Sequence, residues 1–251
     1  MREKLVVGNW KMHGNLQENS ALLQALLSGL GGRKRSAAAV CAPFPYLAQM
    51  RDLLQGTAVA WGAQNVSQFS KGAYTGEVSA FMLHDFGCRY VIVGHSERRA
   101  LFGDTDAIVA EKFVAAHGAG LRPILCCGET LEERETGMTM QVVGRQLEAV
   151  LGRAGIPALA SAVIAYEPVW AVGTGRTAAP EQVQQVHDFI RARLSHLDAA
   201  LAQRLQVLYG GSVKAANAAQ LFSLPDVDGG LVGGASLDAG EFAAICHAAV
   251  Q

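Results

Sequence analysis

The sequence lacks an excess of charge of either sign. It holds 21 basic and 22 acidic residues, which give a formal net charge of -1, and it contains no long run of Lys or Arg. A protein that follows a nucleic-acid backbone needs a concentrated basic surface to neutralise the phosphates. The composition therefore argues against nucleic acid as a partner.

The sequence also lacks a long apolar segment. No stretch approaches the roughly 18 uninterrupted apolar residues that a membrane-spanning helix requires. The first residues carry charges at Arg2, Glu3 and Lys4, and only a brief apolar stretch follows, so we expect no secretory signal. We predict a cytoplasmic protein without a membrane partner.

The sequence also lacks cysteines spaced as in a metal site or in a framework of disulfide bonds. The chain has five cysteines, an odd number, and none is spaced as CxxC. Reduced thiols are typical of the cytoplasm, and the position of Cys126 and Cys127 inside an apolar run favours packing over catalysis. HExxH and the Walker phosphate loop are also absent from the sequence. We therefore expect no metal and no other cofactor.

Apolar residues are plentiful, at half of the chain, and they recur in eight short β-like runs. The runs are near-continuous rather than alternating, which is typical of parallel strands that are covered on both faces. The predicted strands are residues 4–10, 37–42, 58–63, 90–94, 123–127, 162–166, 206–209 and 230–232.

Between these runs the apolar spacing becomes helical. Leucines 22, 23, 26, 27 and 30 form one stripe, as one face of a helix would. Pro180 marks a later helix start. Proline has no backbone N–H to donate, and in the first turn of a helix this costs nothing, because those N–H groups have no partner within the helix. Residues 130–153 are predicted as helical, with a break near Gly137.

The spacing of the units predicts a closed sheet. Eight units in 251 residues leave about 31 residues each, enough for a strand, a helix and two loops. A barrel has no sheet edges, whereas an open sheet needs edge protection that the sequence does not display. No linker divides the chain. We predict an α/β protein with one (β/α)₈ barrel domain over residues 1–251, with an open Rossmann-like sheet as the alternative.

Polar side chains follow several of the predicted strands, where barrel enzymes carry their chemistry. Asn9 and Lys11 follow the first strand, His95 and Glu97 the fourth, and Glu167 the sixth. Singly, each has a structural explanation: a solvated lysine, a core histidine, a charged helix start or a buried ion-paired carboxylate. Together, a carboxylate, an imidazole and an ammonium group indicate proton transfer next to a carbonyl.

Glycine-rich turns follow the last two predicted strands. Ser212 comes directly after Gly210 and Gly211, and Gly233 and Gly234 follow the eighth strand. Such turns expose backbone N–H groups to an anion, although they also serve as tight turns alone. Combined with the titratable side chains, they favour a phosphorylated substrate.

Two shorter motifs do not carry a function. Residues 173–178 spell GTGRTA and match a dinucleotide-binding pattern, but Pro180 begins the helix too late for that fold. Residues 94–97 begin like a nucleophile elbow, but the glycine that should follow is missing.

Six ordered motifs resemble the triosephosphate isomerase family over essentially the whole chain. They are GNWKMHG at 8–14, GAYTGE at 72–77, YVIVGHSERR at 90–99, AYEPVWAVGTG at 165–175, YGGSV at 209–213 and LVGGASL at 231–237. The resemblance implies a TIM barrel. It also implies the cofactor-free interconversion of dihydroxyacetone phosphate and D-glyceraldehyde 3-phosphate, a step of glycolysis and gluconeogenesis.

The resemblance also implies a role for each polar residue at the strand ends. Glu167 corresponds to the base that moves the proton, and His95 to the electrophile and proton shuttle, which this family is held to keep neutral with a helix N-terminus. Lys11 would stabilise negative charge, Asn9 would polarise a substrate oxygen, and Glu97 would hold Lys11 or relay protons.

Substrate binding is implied in the same way. Asn9 and Lys11 would touch the substrate, and the backbone N–H groups of Gly173, Ser212, Gly233 and Gly234 would bind its phosphate. Residues 168–178 resemble the family's closing lid, which protects the enediolate from water and from loss of phosphate.

One long loop resembles the segment through which the family forms homodimers. It begins at Gln64, ends at Glu77, and is long for a connection between a strand and a helix. By resemblance we predict a homodimer through residues 64–77, although the sequence pattern alone fits an exposed flexible loop equally well.

Two positions depart from the family's usual sequence. Arg176 stands in the lid where lysine is common, and its forked guanidinium could change lid kinetics. Cys127 replaces a more usual aliphatic residue next to Cys126, which could alter sensitivity to oxidation.

Two other hypotheses compete with an isomerase: a different phosphate-binding barrel enzyme, and a binding or structural protein on an inactive barrel. A phosphate-binding epimerase barrel would need paired metal-ligating histidines, and an aldolase would need a Schiff-base lysine deep in a strand. A binding protein on an inactive barrel would have lost a proton-transfer residue, yet Lys11, His95 and Glu167 are all present.

Overall fold

The protein is described by a computed structural model that covers residues 2–31, 37–173 and 177–250. Eight parallel strands form a closed barrel in chain order, and β8 pairs with β1. The (β/α)₈ prediction is thus confirmed, and the open-sheet alternative is wrong. The strands are β1 (Leu5–Asn9), β2 (Ala37–Ala42), β3 (Val59–Ala63), β4 (Tyr90–Val93), β5 (Arg122–Cys127), β6 (Val163–Tyr166), β7 (Gln206–Tyr209) and β8 (Gly229–Val232).

Helices surround the barrel and connect its strands. The predicted start at Pro180 and the predicted break near Gly137 are both observed. The described helices are α1 (Leu16–Leu30), α2 (Leu47–Leu54), α3 (Ala80–Asp85), α4 (Ser96–Phe102), α5 (Asp106–Gly118), α6 (Leu131–Glu135), α7 (Thr139–Ala154), α8 (Pro180–Ser195), α9 (Ala199–Ala202), α10 (Ala215–Phe222) and α11 (Ala239–Ala248). Short 3₁₀ turns lie at Phe44–Tyr46, Ile156–Ser161, Val169–Ala171 and Gly234–Leu237.

Apolar side chains are buried on both faces of the strands. One cluster, which includes Val7, Ile92 and Leu208, groups alternate residues of the barrel strands. A larger cluster, which includes Val6, Val91 and residues of the surrounding helices, packs on the other side. Because both faces are covered, the strand sequences are continuously apolar.

The cysteine side chains are part of this packing. Cys126 and Cys127 lie in β5 and are buried, and burial raises the pKa of the Cys127 thiol to about 12. Oxidants attack the thiolate, so a thiol that stays protonated reacts slowly. Cys127, which stands where the family more often has an aliphatic residue, is therefore not an exposed reactive thiol.

None of the helices in the three described ranges is long and apolar enough to cross a membrane.

A histidine without an obvious role lies buried on α8. The Nδ1 of His187 is 3.1 Å from the carbonyl oxygen of Asp226, and its ring meets the Tyr166 ring edge to face at 5.8 Å. Its Nε2 has no hydrogen-bond partner among the described residues. Burial, only partly offset by the Asp226 carbonyl, lowers the pKa of His187 to about 4.

This histidine should make folding sensitive to mild acid. Because its pKa falls on folding, the unfolded chain binds the proton more readily, so the stabilisation is present above about pH 6.5 and is lost as the pH falls toward 4. We expect its contribution to the free energy of unfolding to be about 2 kcal/mol smaller at pH 5 than at pH 7. Urea denaturation at both pH values should show that His187→Gln loses this part of the pH dependence. An equal pH dependence in both proteins would contradict it.

Candidate active site

The structure brings the predicted polar residues together at the carboxyl ends of the strands. Asn9, Lys11, His95 and Glu167 line one cavity of about 240 Å³. The predicted anion-binding residues Gly173, Ser212, Gly233 and Gly234 line the same cavity. Glu97 does not line it, but lies on a neighbouring cavity that shares Asn9, Lys11 and His95.

A hydrogen-bonded pair occupies the centre of this site. The Nε2 of His95 lies 3.0 Å from Oε1 of Glu167, and both side chains are buried. The other carboxylate oxygen of Glu167 accepts a hydrogen bond of 2.9 Å from the backbone N–H of Ser96. The backbone N–H of Glu97 in turn donates to Nδ1 of His95 over 3.2 Å. Nδ1 is thus an acceptor, which leaves the proton on Nε2 and matches a neutral ring.

The backbone around His95 explains this placement. Gly94 has φ 73°, and a Cβ there would lie 2.8 Å from Cγ1 of Val109, so the turn that ends β4 requires glycine. His95 then becomes the N-cap of α4, and the first N–H groups of the helix point toward its ring and toward Glu167.

The electrostatics of the pair keep Glu167 ionised. Burial alone would raise the pKa of Glu167, but His95 and the Ser96 N–H outweigh it, and the pKa of the carboxyl is lowered. Burial likewise opposes the charged form of His95, while the Glu167 carboxylate favours it and raises the pKa of His95 above the usual value. The ring nevertheless stays neutral in this arrangement, because Nδ1 accepts from the Glu97 N–H and cannot carry a second proton. The carboxylate is therefore ready to accept a proton at neutral pH.

Lys11 is held in an unusual backbone conformation. Its φ of 52° lies in the left-handed region, which is costly for a residue with a side chain. The side chain of Gln64 donates to the Lys11 carbonyl over 2.9 Å and to the Cys41 carbonyl over 3.0 Å. Oδ1 of Asn9 accepts from the Lys11 N–H over 3.1 Å. The Lys11 ammonium pairs with Glu97 at 2.5 Å.

Glycines line part of the cavity wall. A Cβ on Gly210 would lie 2.8 Å from Cγ of Glu167, and one on Gly211 would lie 2.2 Å from the hydroxyl of Tyr209. A Cβ on Gly233 would approach Cε of Lys11 to 3.4 Å. Side chains at these positions would collide with the site or fill it, so the chain exposes backbone there.

The segment after Glu167 is anchored on Glu129, a residue that the sequence did not single out. Oε1 of Glu129 accepts from Tyr166 and from Trp170, each over 3.1 Å, and from Arg134 over 3.0 Å. The backbone N–H of Val169 donates to the Glu129 carbonyl over 3.0 Å. These bonds fix Val169 and Trp170 at the start of the predicted lid.

The remainder of the lid is only partly described. Thr174, Gly175 and Arg176 lie outside the described residues, and so do the departure at Arg176 and half of the GTGRTA motif. In the described ranges, no group of three or more His, Cys, Asp or Glu side chains could hold a metal ion.

The loop of residues 64–77 extends from β3 and is largely exposed. The rings of Phe69 and Tyr74 stack on each other with centroids 3.9 Å apart. Further apolar side chains are exposed near the second cavity, where Met12 is 93% and Phe102 66% exposed. Exposed apolar surface of this kind is typical of a protein interface.

The closed barrel, with its polar cavity at the carboxyl ends of the strands, defines the class of this protein as a (β/α)₈-barrel enzyme. A sequence model described as triosephosphate isomerase matches residues 4–249. The chain belongs to the triosephosphate isomerase family.

Individual relatives agree over their full length. A triosephosphate isomerase from Thiobacillus denitrificans is 66% identical over 251 residues, which is 100% of both chains. The one from Dechloromonas aromatica is 61% identical and covers 99% of this chain and 100% of its own. The one from Nitrosomonas eutropha is 58% identical and covers 99% of this chain and 98% of its own.

Proposed function

We propose that this protein interconverts dihydroxyacetone phosphate and D-glyceraldehyde 3-phosphate by proton transfer through an enediolate. The observation that carries the proposal is the 3.0 Å contact between His95 Nε2 and Glu167 Oε1, on a cavity that Lys11 also lines. A base, a hydrogen-bond donor and a cation thus converge on a space that suits a small sugar phosphate.

Glu167 is the base in this proposal. Its carboxylate is buried and its pKa is lowered, so it is ionised when substrate arrives. It removes the proton from the carbon next to the carbonyl and returns it to the neighbouring carbon. The reaction moves two protons, one between the carbons and one between the oxygens, together with two electrons, all within the substrate, so it requires no external oxidant or reductant.

His95 acts on the two substrate oxygens. Its Nε2–H donates to the carbonyl oxygen as negative charge develops there, and the ring then exchanges protons with the second oxygen. Because the Glu97 N–H bonds to Nδ1, the ring presents Nε2 toward the cavity. Substrate must replace Glu167 as the partner of this proton.

Lys11 and Asn9 stabilise the charge that develops. The ammonium lies on the cavity and offsets the enediolate and the phosphate, while the Asn9 side chain polarises a substrate oxygen. Glu97 holds Lys11 through their ion pair. An aldolase-type reaction through a Schiff base finds no support, because Lys11 lies beyond the strand end and pairs with this carboxylate.

Backbone N–H groups of Gly173, Ser212, Gly233 and Gly234 bind the phosphate in this proposal. All four residues line the cavity, and the glycines leave the backbone accessible. Residues 168–178 close over the bound substrate and exclude water, which suppresses loss of phosphate from the enediolate.

Hydrogen exchange tests the proposed chemistry directly. In D₂O the protein should introduce solvent deuterium into dihydroxyacetone phosphate at the carbon that loses its proton, and NMR spectroscopy detects the label. The absence of both isomerisation and exchange in folded protein would refute the proposed function.

We further propose that the protein is a homodimer through the loop that begins at Gln64 and ends at Glu77. The second cavity, about 390 Å³, is lined by Met12, Phe44 and Phe102 and adjoins the catalytic residues. The loop of a second copy, with its exposed Phe69 and Tyr74, would cover the exposed apolar side chains of this cavity.

Light scattering should therefore give a mass of twice the 26.5 kDa of one chain. Phe102→Asp should lower the mass toward one chain, because it places a charge in the proposed interface. Leu197→Asp is a matched control, since Leu197 is 56% exposed but lies outside the cavity and the loop. Equal masses for both variants would argue against this interface.

The location and the domain boundaries are also proposals. We infer a cytoplasmic protein with one domain over residues 1–251. All five cysteines are free and buried, as a reducing compartment allows, and the barrel strands extend from Leu5–Asn9 to Gly229–Val232.

A further inference from the structure

Gln146 on α7 makes two hydrogen bonds to one residue at the end of β5. Its Oε1 accepts from the backbone N–H of Gly128 over 2.8 Å, and its Nε2 donates to the Gly128 carbonyl over 3.2 Å. The side chain is buried, at 6% exposure. A side-chain amide that binds both polar groups of one residue fixes the orientation of that residue's backbone.

Gly128 lies directly against the backbone of Glu167. A Cβ at position 128 would lie 1.7 Å from the Glu167 carbonyl oxygen, so the two backbones are in contact. Next to it, the Glu167 N–H donates to the Cys127 carbonyl over 2.8 Å. The backbone of Glu167 is therefore supported by the segment that Gln146 holds.

The same segment continues into Glu129, which anchors the residues that follow Glu167. Val169 and Trp170 both bond to Glu129. A rotation of the Gly128 peptide would thus move the supports on both sides of Glu167. Gln146, Gly128 and Glu129 do not themselves line the cavity.

We propose that Gln146 is a positioning residue for Glu167 in the isomerase reaction. The inference rests on the proposed function. It adds a residue that does not line the cavity and acts only through the Gly128 backbone. Gln146 is not catalytic itself. It holds the Gly128 backbone, and that backbone sets where the Glu167 carboxylate stands relative to the substrate carbon.

If the Glu167 carboxylate is displaced, the turnover number of the enzyme should fall while its affinity for the substrate is kept. A displacement of about 1 Å can cost about a hundredfold in rate, whereas the proposed phosphate contacts at Ser212 and Gly233 lie in the turns after β7 and β8 and should persist. A purely structural role for Gln146 predicts something different, namely lower stability with unchanged turnover of the folded enzyme.

The test compares Gln146→Met with Leu147→Ala. Methionine has a similar size and makes neither hydrogen bond, while Leu147 is the buried neighbour on α7 and has no hydrogen-bonding side chain. For Gln146→Met we expect kcat about tenfold to a hundredfold lower. KM and the inhibition constant of inorganic phosphate should stay within about twofold. Leu147→Ala should melt earlier but keep kcat within about twofold of the parent.

Gln146→Glu provides a second variant. Its carboxylate can still accept from the Gly128 N–H but, when ionised, cannot donate to the carbonyl, so kcat should lie between those of the parent and Gln146→Met. If Gln146→Met does not fold, reduced kcat at unchanged KM in Gln146→Glu supports the proposal, and unchanged kcat overturns it. All rates are measured where circular dichroism shows folded protein.

Three outcomes would overturn the inference. They are parental kcat in Gln146→Met, an equal loss of kcat in Leu147→Ala, and a rise in KM and in the phosphate inhibition constant that accounts for the loss. Any of these with an active parent leaves the proposed function intact. An inactive parent would overturn both.

Discussion

Glu167→Gln should lower kcat about 10³-fold, because the variant keeps the size of the side chain but has no carboxylate to take the proton. The amide oxygen can still accept from Ser96 and from His95, so the fold and the cavity persist. Deuterium uptake into dihydroxyacetone phosphate should fall in parallel with isomerisation. The melting temperature should not fall greatly, since no buried group loses all of its partners.

Glu167→Asp tests whether the reaction depends on the position of the carboxylate as well as on having one. The carboxylate remains but is shorter by one methylene group, so we expect a clear fall in kcat and little change in KM. If Glu167→Gln turned over substrate at the parental rate, Glu167 could not be the base. A loss in KM alone would assign it to binding.

Lys11→Met should lower kcat about 10²–10³-fold, the range seen when one group that stabilises developing charge is removed. KM should rise as well, because in the proposed mechanism the ammonium also offsets the charge of the substrate phosphate. Inorganic phosphate should inhibit the variant less strongly than the parent. Steady-state kinetics with phosphate as a competitor measures all three effects.

Lys4→Met is the matched control for this change. Lys4 precedes β1, whereas Lys11 follows it, so the two lysines lie at opposite ends of the barrel. The ammonium group of Lys4 donates a hydrogen bond to the Val227 carbonyl. Its replacement should leave kcat and KM within about twofold. Parental kinetics in Lys11→Met would remove Lys11 from the proposed mechanism. Equal losses in both variants would indicate a general effect of losing a lysine.

The strands could be predicted from the sequence because burial on both faces requires a continuous run of apolar residues. Residues such as Val91 and Ile92 are adjacent and both buried, since one faces the helices and the other faces the barrel interior. All eight predicted strands agree with the structure to within one residue at each end. The strand ends, in turn, located Lys11, His95 and Glu167 on one cavity.

The supporting residues left no such signal. Gln64, Glu129 and Gln146 have ordinary polar side chains, and their contacts to Lys11, Trp170 and Gly128 depend on the folded arrangement of different units. Gln146 is 18 residues from Gly128 in the chain, and a sequence pattern gives no orientation for an amide. Direct contact with a neighbouring backbone, as at Gly128, is likewise visible only in three dimensions.

The pairing of β1 with β8 has a consequence for the synthesis of the protein. Asn9 and Lys11 emerge from the ribosome first, but Gly233 and Gly234 emerge near the end, and the two sets become neighbours only when the last strand joins the first. A nascent chain that has seven strands therefore contains His95 and Glu167 but lacks Gly233 and Gly234, which the proposed phosphate site requires. Activity during translation should begin only after the ring has closed.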